Sequence, residues 1–318
     1  MASARSLLVP PNSEGWYHCI QRCVRRSFLC GEDSYTGFSF EHRKSWIEDR
    51  LRVLGDCFAI SIHAYAVMSN HLHIVLQVVP DVVAAWSDEE VAARWVRIYP
   101  PARGDAAAVE LKRQQLAADP GRIEVIRSRL GNLSWFMRCL AEPIARRANR
   151  EDGCTGRFWE GRYKCQVLCN ERAVLAAMTY VDLNPVRSGT AEGLDTSKHA
   201  GVRARIEKAR KHPETLAALL RPIIGIQRST LSISTADYLA ILDWTGRAAA
   251  VGKRGTIASD APAALSMVDG DPERWALRVR GFGSAWARVV GSARDLRDAA
   301  ERIGQRWLKG VRFALQLD

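Results

Sequence analysis

The stretch CFAISIHAYAVMSNHLHIVLQVV, residues 57 to 79, limits what this chain can fold into more than any other. Two runs rich in β-branched and aromatic residues meet at Ser69-Asn70, which predicts two strands joined tightly as a hairpin. Successive side chains of a strand point to opposite faces, so His71 and His73 share one face while Leu72 and Ile74 take the other. Two imidazoles side by side offer two legs of a metal site or an acid/base pair. They suit equally well two surface histidines on the open face of a half-covered sheet. A third histidine in the alternation would make a phosphorus-attacking triad, but that position is Val75.

The segments around the hairpin set the order of elements. WYHCIQRCV (16 to 24) alternates and predicts a first strand, and Phe40, Trp46, Ile47, Leu51 and Leu54 follow at helical spacing behind a Ser39 cap. After the hairpin, LSWFMRCLAEPIARRANRE (133 to 151) carries a helical stripe that Pro143 should kink or divide. RFWEGRYKCQVL (157 to 168) predicts another strand. NERAVLAAMTYVDLN (170 to 184) opens on an Asn170 cap and must end by Asn184, because Pro185 follows. The order β-α-β-β-α-β is the ferredoxin-like split pattern: an α+β fold with an antiparallel sheet and helices on one face. Residues 80 to 130 read as a helical insertion. We expect a domain over 1–194 and a basic, mostly helical C-terminal domain over 195–318, where 21 Lys plus Arg face 13 Asp plus Glu.

Charge narrows the partners. Across 318 residues, 46 Lys plus Arg against 35 Asp plus Glu give a formal charge of +11, the footprint of a protein that meets a polyanion, with nucleic acid foremost. Leu7, Leu8 and Val9 are too short a run for a signal-peptide core, and no stretch approaches the ~18 apolar residues of a membrane span. The expectation is a cytoplasmic protein with no membrane partner. Eight cysteines in such a chain read as reduced thiols. Cys19, Cys23 and Cys30 lie close to His18, and Cys165 near Cys169, which leaves structural zinc as an alternative, although the C-x3-C spacing in both places suits ordinary buried cysteine.

The helix ending at Asn184 brings further chemistry. Tyr180 and Asn184 are four apart and project from one helical face. A phenolic oxygen can attack phosphorus once polarised, and a side-chain carbonyl can complete a site with two imidazoles. Mg²⁺ or Mn²⁺ there would act as a Lewis acid on a phosphate. The same residues also suit a core aromatic and a C-cap before proline.

Taken in order, HAYAVMSNHLHIVL, SWFMRCLAEPIARRANREDGCTGRFWEGRYK and MTYVDLNPVRSG resemble the single-tyrosine HUH transposases of bacterial insertion sequences, most of all the branch called REP-associated tyrosine transposases. The resemblance spans about residues 15 to 190, and a long basic extension is also similar to longer members. It implies that His71 and His73 bind the metal, that Asn184 is the third ligand and that Tyr180 attacks DNA. The implied activity is metal-dependent cleavage and rejoining of single-stranded or hairpin DNA through a 5′-phosphotyrosine and a free 3′-hydroxyl. The covalent bond conserves the phosphodiester energy, so no ATP is required, and no G-x-x-x-x-G-K-[ST] loop is present. Arg22, Arg25, Arg26, Arg157, Trp159, Arg162, Lys164 and Arg187 are the expected DNA contacts, combining phosphate pairing with base stacking. Monomers and homodimers both occur in such families. The alternative is a non-catalytic nucleic-acid-binding protein of the same fold.

Overall fold

The computed structural model describes residues 7–11, 13–24, 30–33, 37–228, 230–251 and 260–318. The chain enters as strand β1 (Gly15–Arg22), crosses in helix α1 (His42–Cys57) and returns as the hairpin β2 (Ile60–Val67) and β3 (His71–Val78). Helices α2 (Asp81–Ala84), α3 (Asp88–Ile98), α4 (Ala106–Ala117) and α5 (Pro120–Leu130) occupy the following segment. Next come the long α6 (Leu133–Glu151), strand β4 (Lys164–Leu168), helix α7 (Glu171–Asp182) and the single turn α8 (Asn184–Arg187). The remaining elements are α9 (Gly201–Lys211), β5 (Ile224–Gly225), α10 (Thr235–Val251), α11 (Ala264–Val268), α12 (Pro272–Arg280), β6 (Val289–Val290), α13 (Ala293–Arg302) and α14 (Val311–Leu317).

The six strands form one sheet in the order β5-β2-β3-β1-β4-β6. Every neighbouring pair is antiparallel except β4 with β6. The class is α+β, but the expectation of helices on one face is corrected: helices cover both. All eight residues of β2 are buried, which an open face would not allow. Tyr65, Leu72, Ile74 and Leu76 pack with Ile47, Leu51 and Leu54 of α1 and with α3, α5 and α6. Ala64, Ala66 and Val75 pack on the other side with Val174, Ala177, Met178 and Val181 of α7. The pairing of β2 with β3 slips between Ile62 and Ala64, so that His63 is an extra residue. That bulge restores the phase that sends Ala64 and Ala66 toward α7.

Three local features depart from the sequence reading. The strand expected over 157 to 168 begins only at Lys164. The preceding turn is instead tied to β1, with the Glu160 N–H donating to the Arg22 carbonyl and Gln21 Nε2 donating to the Gly161 carbonyl. Helix α6 runs unbroken through Pro143. Proline leaves the carbonyl four residues back without its donor, and Arg50 Nε from α1 fills that role, donating to the Cys139 carbonyl at 2.9 Å. Finally, α1 begins at His42, and its cap position, Glu41, makes no side-chain bond to the helix backbone; its carboxylate pairs with Lys44 instead.

Residues beyond 195 complete the same sheet and the same core. Strands β5 and β6 extend its two edges. At the first, Gly225 has φ +90°, and a Cβ there would lie 2.1 Å from the Ile60 carbonyl oxygen, so only glycine allows the approach. Tyr238, Leu242, Trp244, Trp275 and Leu296 join α7 in one buried cluster. Among the described residues, no helix is long and apolar enough to cross a membrane.

A chain ended after Leu194 strips α7 of that cover. It is expected to bind a hydrophobic dye and to melt without a cooperative transition. Calorimetry showing a sharp transition like that of the full chain would count against this.

Candidate active site

Alternation in two adjacent strands builds one polar floor. On β1, Trp16, His18, Ile20 and Arg22 point to the α7 side; on β3, His71 and His73 do the same. The register pairs Ile20 with His73 and Arg22 with His71. His18 is therefore diagonal to His73, within reach of two long side chains, and its Nε2 lies 2.9 Å from His73 Nδ1. On the other flank of β1, His18 faces Gln166 of β4 directly, and His18 Nδ1 lies 2.7 Å from Gln166 Oε1.

This chain fixes the tautomers. The Gln166 carbonyl oxygen can only accept, so His18 Nδ1 carries the proton and His18 Nε2 accepts from His73 Nδ1–H. His73 Nε2 is left with its lone pair. Asn70 Oδ1, 2.6 Å from His71 Nδ1, imposes the same tautomer on His71. Burial then keeps the rings neutral: desolvation lowers His18 and His71 to about 4 and His73 well below its usual value. The Arg22 charge adds to the lowering at His71 and His73.

Helix α7 brings the phenol to this floor. Its start is fixed by Asn170, whose Oδ1 accepts from the Ala173 N–H at 2.9 Å. Buried aliphatic residues through Val181 hold the helix on the sheet. Tyr180, in its last turn, is half-buried, with its ring centroid 5.7 Å from that of His73 and 6.2 Å from that of His18. The Arg187 guanidinium lies 4.9 Å from the Tyr180 ring centroid. Pro185 falls in the first turn of α8, where its missing N–H leaves no bond unmade. Asn184 opens that turn, and its Nδ2 is buried without a hydrogen-bond partner.

Of the residues expected to contact DNA, Arg22, Arg162 and Lys164 come together around a cavity of about 210 Å³ at the end of β1. Arg22 Nε is buried with no partner. Arg187 is exposed beside Tyr180, and Arg157 is exposed outside the lining of that cavity. Trp159 is half-buried; its indole N–H donates to the Ala141 carbonyl of α6 and its ring meets Phe158 edge-on, so the protein itself occupies it. Arg25 and Arg26 lie outside the described residues.

Gln166 and Phe282 were not anticipated, and His18 was considered only beside the cysteines. His18 did carry a signal: it shares the alternation of Arg22 in the first strand. Phe282 carried none. It follows α12, is 6% exposed, and lies with its ring centroid 5.6 Å from those of both Tyr180 and His18.

For a metal, the donors fit on one observation: two neutral imidazoles keep Nε2 uncommitted. The unpartnered Asn184 Nδ2 is an N–H donor and no ligand, so only the carbonyl oxygen of that amide could join them. Among the described residues no group of three or more His, Cys, Asp or Glu is arranged to hold an ion. A three-ligand set here therefore needs the amide. None of the eight cysteines forms a disulfide.

No family model and no curated protein matches this chain. It is similar to a solved structure described as a REP-associated tyrosine transposase bound to a REP hairpin, at 12% identity and a TM-score of 0.30. That match covers 71% of this chain and 93% of the other.

In ¹⁵N spectra, His71 and His73 should both appear as Nδ1–H tautomers, with His71 unprotonated until the pH falls to about 4. Gln166→Leu should mix the tautomers at His73 and leave His71 unchanged. A His73 signal indifferent to that substitution removes the hydrogen-bond relay.

Proposed function

We propose that the protein is a DNA strand transferase that cleaves and rejoins single-stranded or hairpin DNA with Tyr180 as nucleophile. The observation that carries this is the edge-on meeting of the Tyr180 ring with His73, which with the adjoining His71 forms a pair of neutral imidazoles with uncommitted Nε2 atoms, while the Arg187 guanidinium lies against the phenol ring. A buried, unpaired donor such as Arg22 Nε costs about 1–3 kcal/mol or more for a charged group. A phosphate oxygen would relieve that cost.

In the reaction, the Tyr180 phenol oxygen attacks a backbone phosphorus, its proton passing to solvent. The bond from phosphorus to the 3′-oxygen breaks, and that oxygen takes up a proton. The products are a 5′-phosphotyrosine and a free 3′-hydroxyl, and a 3′-hydroxyl from another strand end reverses the step. His71, His73 and Asn184 would hold Mg²⁺ or Mn²⁺, which supplies Lewis-acid polarisation of the phosphate when bound. Arg187 sits where it can balance the charge developing near the phenol. Arg22, Arg162 and Lys164 would bind the phosphate backbone beyond the scissile bond.

Phe282 supports a second reading. It covers part of the Tyr180 ring, and a chain that binds DNA without turnover would tolerate that cover. One experiment separates the two: incubation with Mn²⁺ and a labelled single-stranded hairpin from the flanks of the gene, scored for a denaturation-resistant adduct. Adduct is expected in the wild type. It should be absent in Tyr180→Phe with hairpin binding kept, and reduced at least about a hundredfold in His71→Ala. Tight binding with no adduct in the wild type selects the binding protein, and an undiminished adduct in Tyr180→Phe removes that residue as nucleophile.

A further inference from the structure

Near the C-terminus the sequence reads GQRWLKG, residues 304 to 310. Trp307 is 70% exposed, whereas the other nine tryptophans are buried or half-buried. A single exposed aromatic is ordinary on a protein surface, so it is the setting of Trp307 that gives it meaning. Trp307 and Leu308 line a cavity of about 480 Å³ together with Arg288, Arg306 and Lys309. No acidic side chain is among the described residues that line it, and none of those three cations has an ion-pair partner among the described residues. The site is thus an indole face within a ring of uncompensated positive charge.

Its place in the sheet ties it to the polar floor. The Val167 N–H of β4 donates to the Arg288 carbonyl at 2.8 Å, and Val167 pairs with Val289 of β6. Arg288 therefore stands beside Gln166, the residue that holds His18. Three strand spacings, from β3 through β1 and β4 to β6, separate the two histidines from this edge, roughly 15 Å. Arg22 on β1 and Lys164 on β4 belong to the two intervening strands, with Arg162 beside them.

We propose that the Trp307 surface is a second contact for single-stranded nucleic acid, in which one unpaired base stacks on the indole while Arg288, Arg306 and Lys309 take the flanking phosphates. Stacking demands an accessible π-face, which a paired base in a duplex does not offer. An acidic protein partner would use the charges but gain little from the flat indole face. The proposal deepens the strand-transfer reading and rests on it for the choice of DNA as substrate.

The test uses the full chain with 5′-fluorescein-labelled oligothymidylate of twelve nucleotides, followed by anisotropy at fixed salt, and the hairpin adduct assay in parallel. Trp307→Ala is expected to weaken oligothymidylate binding about tenfold, within the range for removing one aromatic platform. Trp307→Phe should recover most of the loss, and binding of an equally long duplex should not change. Thermal melting of both variants checks the fold, which an exposed side chain does not support. Equal affinity in wild type and Trp307→Ala overturns the site, as does loss of duplex and single-strand binding in parallel. Failure of the wild type to bind oligothymidylate overturns it as well. The two readings separate cleanly: a wild type that forms no adduct, with Trp307→Ala still deficient in binding, leaves this site and removes the chemistry. An adduct formed with unchanged binding in Trp307→Ala does the reverse.

Discussion

Strand β3 lies inside the sheet with both faces covered, and that single constraint shapes everything around it. Its leucines and isoleucine satisfy one face by packing on α1. On the other face two imidazoles are withdrawn from water, and buried polar groups are stable only when hydrogen-bonded. The protein meets this by spending two amide side chains and a third imidazole on the Nδ1 atoms: Asn70 for His71, and His18 backed by Gln166 for His73. What remains outside that network is the Nε2 edge of both rings. The same desolvation that demands the network also depresses protonation, so the rings are neutral donors near neutral pH.

The helical layers follow from the same arrangement. Alanines at 64 and 66, phased by the bulge at His63, and alanines along α7 form a shared small-residue core beneath the helix. The last turn of α7 then overhangs the histidines, which is how Tyr180 reaches them. The C-terminal elements seal the outer side of α7 and send Phe282 back against Tyr180. The polar floor is therefore roofed by Tyr180 from α7 and Phe282 from the C-terminal part of the chain, with the cavity lined by Arg22, Arg162 and Lys164 at the end of β1.

Much of the inner fold was legible because it is local. Alternation marked β1, β2 and β3, and an Asn cap with strong helix formers marked α7. The facing of His71 with His73 follows from the period of a strand alone. The reach of Tyr180 to those histidines was not legible, since it depends on which face α7 covers. Pro143 misled for a physical reason: its cost is a carbonyl left without a donor, and Arg50 supplies one from a helix distant in sequence. The reading of one covered face failed because it came from the order of elements alone, which does not say which face each helix covers; α1 and α7 pack on opposite faces, and β2 is buried throughout.

The sequence by itself determined the strands and helices of the inner sheet, the shared face of the two histidines and the positive charge, because each depends on spacing of a few residues or on composition. Tertiary structure alone decided how those histidines are held, since His18 meets His73 and Gln166 across 55 and 148 residues of chain. It also decided that Phe282 lies on Tyr180 and that Trp307 is left in water. Such contacts are set by strand register and by the packing of distant segments, and no local periodicity records them.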